Sequence, residues 1–204
     1  MSGAAVGALV ALAFGVLVVR RRSLATWLFG AQSLLLGAVA LGRAEPGSGL
    51  LVAAAILLVR GVALPALLVV ARRRTPEASP VPPATGVIVR LLAGAAVAAA
   101  ALAAVPPLGL GDPTAERGAI VLLCLGLTIV AMRRPALLQV LGLLVAENGV
   151  YLLALSVAAG LPFAIELGVV FDLVLVVTVA AAFAHRMHGE LGSGDTDLLR
   201  RLRG

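Results

Sequence analysis

The feature that most constrains this chain is a succession of apolar runs, each near the roughly 20 residues that carry an α-helix across a bilayer. Breaking the sequence at charged and Pro/Gly-rich points places spans at 3–19, 24–42, 50–71, 86–105, 118–132, 136–158 and 162–184. The fifth is the shortest. With 61% hydrophobic and only 13% charged residues, against about 25% charged in soluble domains, a water-soluble fold could not hide the apolar surface. The expected fold class is an all-α integral membrane protein of about seven transmembrane helices.

The polar interruptions organise the chain. Arg72 to Thr85 carries three arginines with Pro76, Pro80, Pro82 and Pro83, so 72–85 reads as an exposed cytoplasmic linker after a three-helix half, 1–71. A connecting helix at 86–105, an outer loop at 106–117 with Asp112 and Glu116, a second three-helix half at 118–184 and a cytoplasmic tail at 185–204 complete the division. The tail offers the capping residues Asp195 and Asp197 before a basic end, a pattern suited to a short surface helix.

All sixteen basic residues are arginine, and their distribution orients the chain. Arg20 to Arg22, Arg72 to Arg74, Arg133 with Arg134, and Arg186 with arginines 200, 201 and 203 fall on one side if the first span runs from outside to inside. That leaves twelve arginines inside against Arg43 and Arg117 outside, the asymmetry that disfavoured translocation of clustered positive charge produces. The N-terminus is then out and the C-terminus in. The first apolar stretch has its arginines after it, the wrong polarity for a cleaved signal peptide, and is counted as a span. A parallel internal repeat is also expected, pairing Arg20 to Arg22, Gln32 and Arg60 with Arg133/Arg134, Glu147 and Asp172.

Charges at mid-bilayer depth cost about 2.5–3.5 kcal/mol each on insertion scales, so they pair or line a wet path. Glu147, Asp172 and Arg60 lie near the centres of the sixth, seventh and third spans. The sixth and seventh are consecutive, joined near Gly160 and Pro162, which sets Glu147 and Asp172 at similar depth on neighbouring helices, as a proton relay requires. Carboxyls in such a site can exchange a proton near neutral pH, whereas Arg60 acts only as a fixed positive charge. Glu166, six residues before Asp172 and about 120° away around the helix, suits the mouth of the path. Asn148 and Tyr151 follow Glu147, with Asn148 a hydrogen-bond partner for it, and Gln32 and Gln139 add polar groups for the path or for interhelical bonding. Pro65 should kink the third span near Arg60, and Arg90 can snorkel from the fourth span to the interface. The bland alternative is a buried salt bridge that only fixes helix packing.

Other chemistry is poorly served. Cys124 is the single cysteine, and His185 with His188 lacks a third ligand, so neither a metal nor a cofactor is expected. The net charge of +6 resides at span ends without interleaved aromatics, which argues for topology and against nucleic acid. No nucleophile, base or cofactor loop argues for catalysis on this chain.

The segment Ala146-Glu147-Asn148-Gly149, followed by Ile165-Glu166-Leu167-Gly168 and Asp172, then His188-Gly189 and Asp195 in a tail ending at Gly204, closely resembles the membrane-embedded E component of hydrogenase 4 and its formate hydrogenlyase relatives. The likeness is strongest over 133–204 and extends weakly to Ala31-Gln32-Ser33-Leu34 and to Arg60 with Pro65. More distantly, the C-terminal part is similar to the K component of bacterial NADH:quinone oxidoreductase and the C component of multisubunit cation/proton antiporters. The resemblance implies a multi-pass subunit of the cell inner (plasma) membrane, set beside antiporter-like subunits, with Glu147, Asp172 and Glu166 in a polar chain through the membrane arm. It departs at Arg60, where the hydrogenase subunit would have Lys, a residue able to load and release a proton.

The functional expectation is a non-catalytic subunit of a hydrogenase-4-like or related respiratory complex, contributing carboxyls to proton translocation driven by electron transfer in other subunits. The rivals are a subunit of a multisubunit cation/proton antiporter, a self-contained transporter and a purely structural membrane subunit.

Overall fold

Small residues set how closely the helices of this chain can approach, and capping side chains fix the starts of two of them. The computed structural model describes residues 1–43, 51, 54–62, 66, 86–133 and 136–157, all within one unit, Met1–Ile165. Every regular element among them is an α-helix: α1 (Gly3–Val18), α2 (Arg22–Leu41), α3 (54–62), α4 (Val87–Ala104), α5 (Pro113–Met132) and α6 (Ala136–Ser156). By length and hydropathy α2, α4, α5 and α6 can each cross a membrane, and α1 is a shorter apolar helix of 16 residues. This is the architecture of a helical membrane protein. The expected seventh span, the 72–85 linker and the 185–204 tail lie outside the described residues, as do Pro65, Glu166, Asp172 and both histidines.

The helix starts follow from local chemistry. Ser2 caps α1 through its hydroxyl, which accepts from the Ala5 amide at 3.4 Å. At α5 the expectation of a short span over 118–132 is corrected. Asp112 accepts from the Ala115 amide at 3.1 Å, Pro113 occupies the first turn, and the helix runs 20 residues from Pro113. Residues 113–117 therefore belong to the helix and not to the outer loop. Glu116, whose charge had argued against a span there, is buried in the first turn. Its two carboxylate oxygens accept from the amides of Leu108, at 2.6 Å, and Leu110, at 3.3 Å. They tie down the loop that turns at Gly109, where φ is +72°.

The packing is alternately antiparallel and parallel. Gly126 faces Gly142 and Ala146, while Gly149 faces Ala119 and Leu123, so α5 and α6 run antiparallel with their backbones nearly touching. A β-carbon at Gly142 would lie 2.8 Å from the Gly126 carbonyl oxygen, and one at Gly149 2.9 Å from that of Ala119. Gly118 meets Val6 near one end of α1 and Arg133 reaches the Val19 carbonyl at the other, which makes α1 and α5 parallel. Contacts of Gln32 with Asn148 and of Arg43 with Leu155 set α2 parallel to α6. Across α2, Gly61 of α3 sits against Gly30 and Leu34, and Gly37 against Leu57 and Leu58, an antiparallel pair. α4 buries only Arg90, Gly94 and Ala98, leaving Ile88, Val89, Leu92 and Leu102 exposed as a lipid-facing helix would. Arg90 does not snorkel outward; it is 1% exposed and donates through Nη1 to the Leu17 carbonyl at 3.2 Å.

A polar latch closes the end opposite Arg20 to Arg22. The Asp112 carboxylate accepts from the N-terminal ammonium and from Arg43 Nη2 at 3.0 Å, and Arg43 Nη1 donates to the Leu155 carbonyl at 2.8 Å. The bond from the ammonium is the main cause that holds the Asp112 carboxyl down to about 2, against an ordinary 3.8; burial opposes it, and the Ala115 amide and Arg43 assist.

Two outcomes follow. Gly142→Ala should cost about 1–3 kcal/mol of unfolding free energy in detergent by overpacking. Gly7→Ala, at a position with no atom within 4 Å of an added β-carbon, should stay within about 0.5 kcal/mol of wild type. Because the Asp112 pKa is depressed on folding, the stability it contributes is present above pH 3.8 and is lost as pH falls from there toward about 2. The melting temperature of Asp112→Asn should therefore lie below that of wild type at neutral pH, with the gap closing across that acid window.

Candidate functional site

Glu147 is the twelfth of the 21 residues of α6, about 16 Å along a helix some 30 Å long. Only a partner within the bundle can stabilise its charge there. That partner is Arg60 of α3, which donates from Nη1 to Glu147 Oε2 at 2.6 Å; both side chains are buried. The other terminal nitrogen of Arg60 donates to Asn148 Oδ1. One guanidinium fork thus engages two consecutive residues of α6, a two-point contact that a lysine ammonium could not make in the same plane.

The polarity continues across the bundle. Asn148 donates from Nδ2 to Gln32 Oε1 at 3.1 Å and to Ser33 Oγ at 3.3 Å, and Gln32 donates from Nε2 to the Leu9 carbonyl at 2.9 Å. Gln32, Ser33 and Asn148 are all fully buried. A hydrogen-bonded row therefore crosses from α3 through α6 and α2 to the backbone of α1. The Arg60 guanidinium also stands over the rings of Phe29 and Tyr151, with its carbon 5.6 and 5.7 Å from their centroids. Stacked cation and aromatic faces in a site without bulk water favour the charge, and they wall the pair on two sides.

The structure brings together Glu147, Arg60, Asn148, Tyr151 and Gln32 from the expected set. Asn148 directs its amide oxygen at Arg60 and its amide nitrogen at α2, a different engagement from the bond to Glu147 that sequence position suggests. Gln139 is half-buried on α6, eight residues before Glu147 and about 12 Å away along the axis, apart from the row. Asp172 and Glu166 are outside the described residues. Ser33 and Phe29 join the site without having been singled out. Ser33 adjoins Gln32 in the sequence, and Phe29 lies one helical turn before it, so the polar residue in α2 was the signal for both. Among the described residues no three His, Cys, Asp or Glu side chains converge as metal ligands would.

No family model matches the chain, and no solved structure matches it. It is similar to a Mycobacterium tuberculosis (strain ATCC 25618 / H37Rv) protein described as uncharacterized protein Rv0085, at 32% identity over 89 residues. That stretch covers 44% of this chain and 40% of the relative, so the two share less than half of either length.

A buried ion pair broken on one side leaves a charge in apolar surroundings, a loss of about 3–5 kcal/mol, whereas removing both charges is often close to neutral. Arg60→Met alone should therefore sharply reduce the yield and thermal stability of folded protein in detergent. Adding Glu147→Gln to it should recover most of the loss.

Proposed function

We propose that this chain is a non-catalytic, multi-pass subunit in the membrane arm of a respiratory complex related to hydrogenase 4, where Glu147 takes part in proton translocation driven by electron transfer in other subunits. The observation that carries the reading is the mid-depth pair of Glu147 and Arg60, continued by Asn148 and Gln32 as a row of hydrogen-bonded groups through helices long enough to cross a membrane. The resemblance of the Glu147 segment to the E component of hydrogenase 4 points the same way. Asp172 and Glu166 enter as further carboxyls on that resemblance, and antiporter-like membrane subunits enter as neighbours.

In this reading Arg60 keeps its proton throughout and serves as the fixed counter-charge. Protonation of Glu147 releases its charge-assisted bond to Arg60, and deprotonation restores it. Proton occupancy is thereby coupled to the contact between α3 and α6. The Asn148 and Gln32 amides hold Arg60 and α2 in register while this happens.

The same proposal includes about seven spans in the plasma membrane, with the N-terminus out and the C-terminus in. Arg20 to Arg22 and Arg133 at one end, against the Asp112 and Glu116 end, support that orientation. The parallel courses of α1 with α5 and of α2 with α6 support the expected internal repeat.

A second reading, in which the chain is structural and the pair is helix glue, is favoured by the closeness of the 2.6 Å contact and the aromatic walls around it. Proton uptake by inverted vesicles carrying the intact complex, driven by its electron donor, separates the two. At equal assembly, Glu147→Gln should lower uptake per electron pair severalfold. Unchanged uptake in the assembled variant would overturn the relay and leave the structural reading.

A further inference from the structure

The end of the bundle that carries Arg20 to Arg22 concentrates positive charge without a matching acid among the described residues. Arg90 and Arg133 converge on the last turn of α1, where Arg90 donates to the Leu17 carbonyl and Arg133 to that of Val19. Arg20 follows Val19 directly, so its backbone is adjacent. The acidic side chains among the described residues are Asp112 and Glu116 at the opposite end and Glu147 at mid-depth. A helix C-terminus contributes about half an elementary negative charge, far less than three guanidinium groups require.

Two observations locate the imbalance. Arg90 is 99% removed from solvent, yet its Nε and Nη2 groups have no hydrogen-bond acceptor among the described residues, and Nε of the buried Arg133 is in the same condition. Leaving such donors unmet is costly, the more so for a charged group. Arg90 also belongs to the first turn and a little beyond of α4, where the helix dipole opposes a cation. That helix starts at Gly86 with no side-chain cap, so its first amides add further donors at the same end. Side chains on a helix lean toward its N-terminus, which carries the Arg90 guanidinium back toward those amides. Donors of one sign, from a guanidinium and a helix start, are the elements of an oxyanion site.

We propose that Arg90 and Arg133, with the first turn of α4, bind a phosphate oxyanion at the arginine-rich end of the bundle, of the kind carried by an anionic phospholipid headgroup. The position suits a lipid. Val89 and Leu91, each about 100° around α4 from Arg90, are exposed on the flanks of that face, so acyl chains can lie along the sides of the helix while the phosphate meets the arginines, as basic pockets between transmembrane helices do for anionic lipids. The site is separate from the Glu147 row and does not depend on the function proposed for it.

The test uses the purified full chain in neutral detergent, titrated with phosphatidylglycerol, with phosphatidylcholine or with inorganic phosphate, and read by native mass spectrometry and by melting temperature. Phosphatidylglycerol should bind and raise the melting temperature, as preferential binding to the folded state requires, and phosphatidylcholine should do neither. Arg90→Gln should weaken phosphatidylglycerol binding about tenfold to a hundredfold, the loss of a charge-assisted hydrogen-bonding group. Arg20→Gln, at an exposed position beside the site, should weaken it by a smaller factor and keeps the test open if Arg90→Gln fails to fold. Arg117→Gln, an exposed arginine at the opposite end, should leave it unchanged. Binding of inorganic phosphate that is also lost in Arg90→Gln supports the oxyanion site and assigns affinity to the phosphate itself; binding of the lipid alone supports it and assigns part of the affinity to the acyl chains. Equal stabilisation by both lipids, or equal loss in Arg117→Gln and the Arg90 and Arg20 variants, would overturn the proposal.

Discussion

The contact of Arg60 with Glu147 is the interaction around which the described helices are arranged. Neither charge is tolerable alone at that depth in an apolar bundle, and each lies on a different helix. Satisfying both forces α3 to face α6 at one register. The second arm of the guanidinium then fixes Asn148, and Asn148 in turn fixes Gln32 and Ser33 on α2. A slip of one residue in any of these helices would rotate a polar group by about 100° into lipid or into the core, so the row acts as a registration device.

The close approach of α5 and α6 serves the same end by different means. Lipid tails are as apolar as leucine, and little hydrophobic driving force remains between helices inside a membrane. Gly126, Gly142 and Gly149 replace it with backbone-to-backbone contact, which makes α6 a rigid mount for Glu147. Around this mount the two ends of the bundle differ in kind. At one, the Asp112 carboxylate pairs with both Arg43 and the N-terminal ammonium, and Glu116 holds the preceding loop. At the other, arginines gather on the last turn of α1, where among the described residues backbone carbonyls are the acceptors that meet them.

Much of the fold was legible in the sequence because crossing a bilayer imposes a length and a polarity on each helix. The starts and ends of α1, α2 and α4 fall close to the breaks in hydropathy. α5 was less legible: Glu116 and Arg117 interrupt the apolar run, and only the capping by Asp112 and Pro113, with both Glu116 oxygens satisfied by backbone amides, lets the helix begin five residues earlier than hydropathy indicates. In the site, a charge or amide in mid-span is conspicuous in any sequence, which is why Glu147, Arg60 and Gln32 stood out. Ser33 and Phe29 did not, since a serine or a phenylalanine in an apolar helix is ordinary until a neighbour gives it a partner.

The sequence by itself determined that this chain is helical, that several of its helices are of bilayer length and that buried charges interrupt its apolar runs, because each of these is a property of a single segment in a given solvent. The partnership of Arg60 with Glu147 and Asn148, in place of a simple pair between Glu147 and Asn148, was decided only by tertiary structure. So was the turning of Arg90 inward to α1 in place of outward to the interface. Both depend on which helix faces which, and in a bundle of similar apolar segments that is settled by close glycine packing and by the need to satisfy every buried polar group at once, two conditions that no single segment can express.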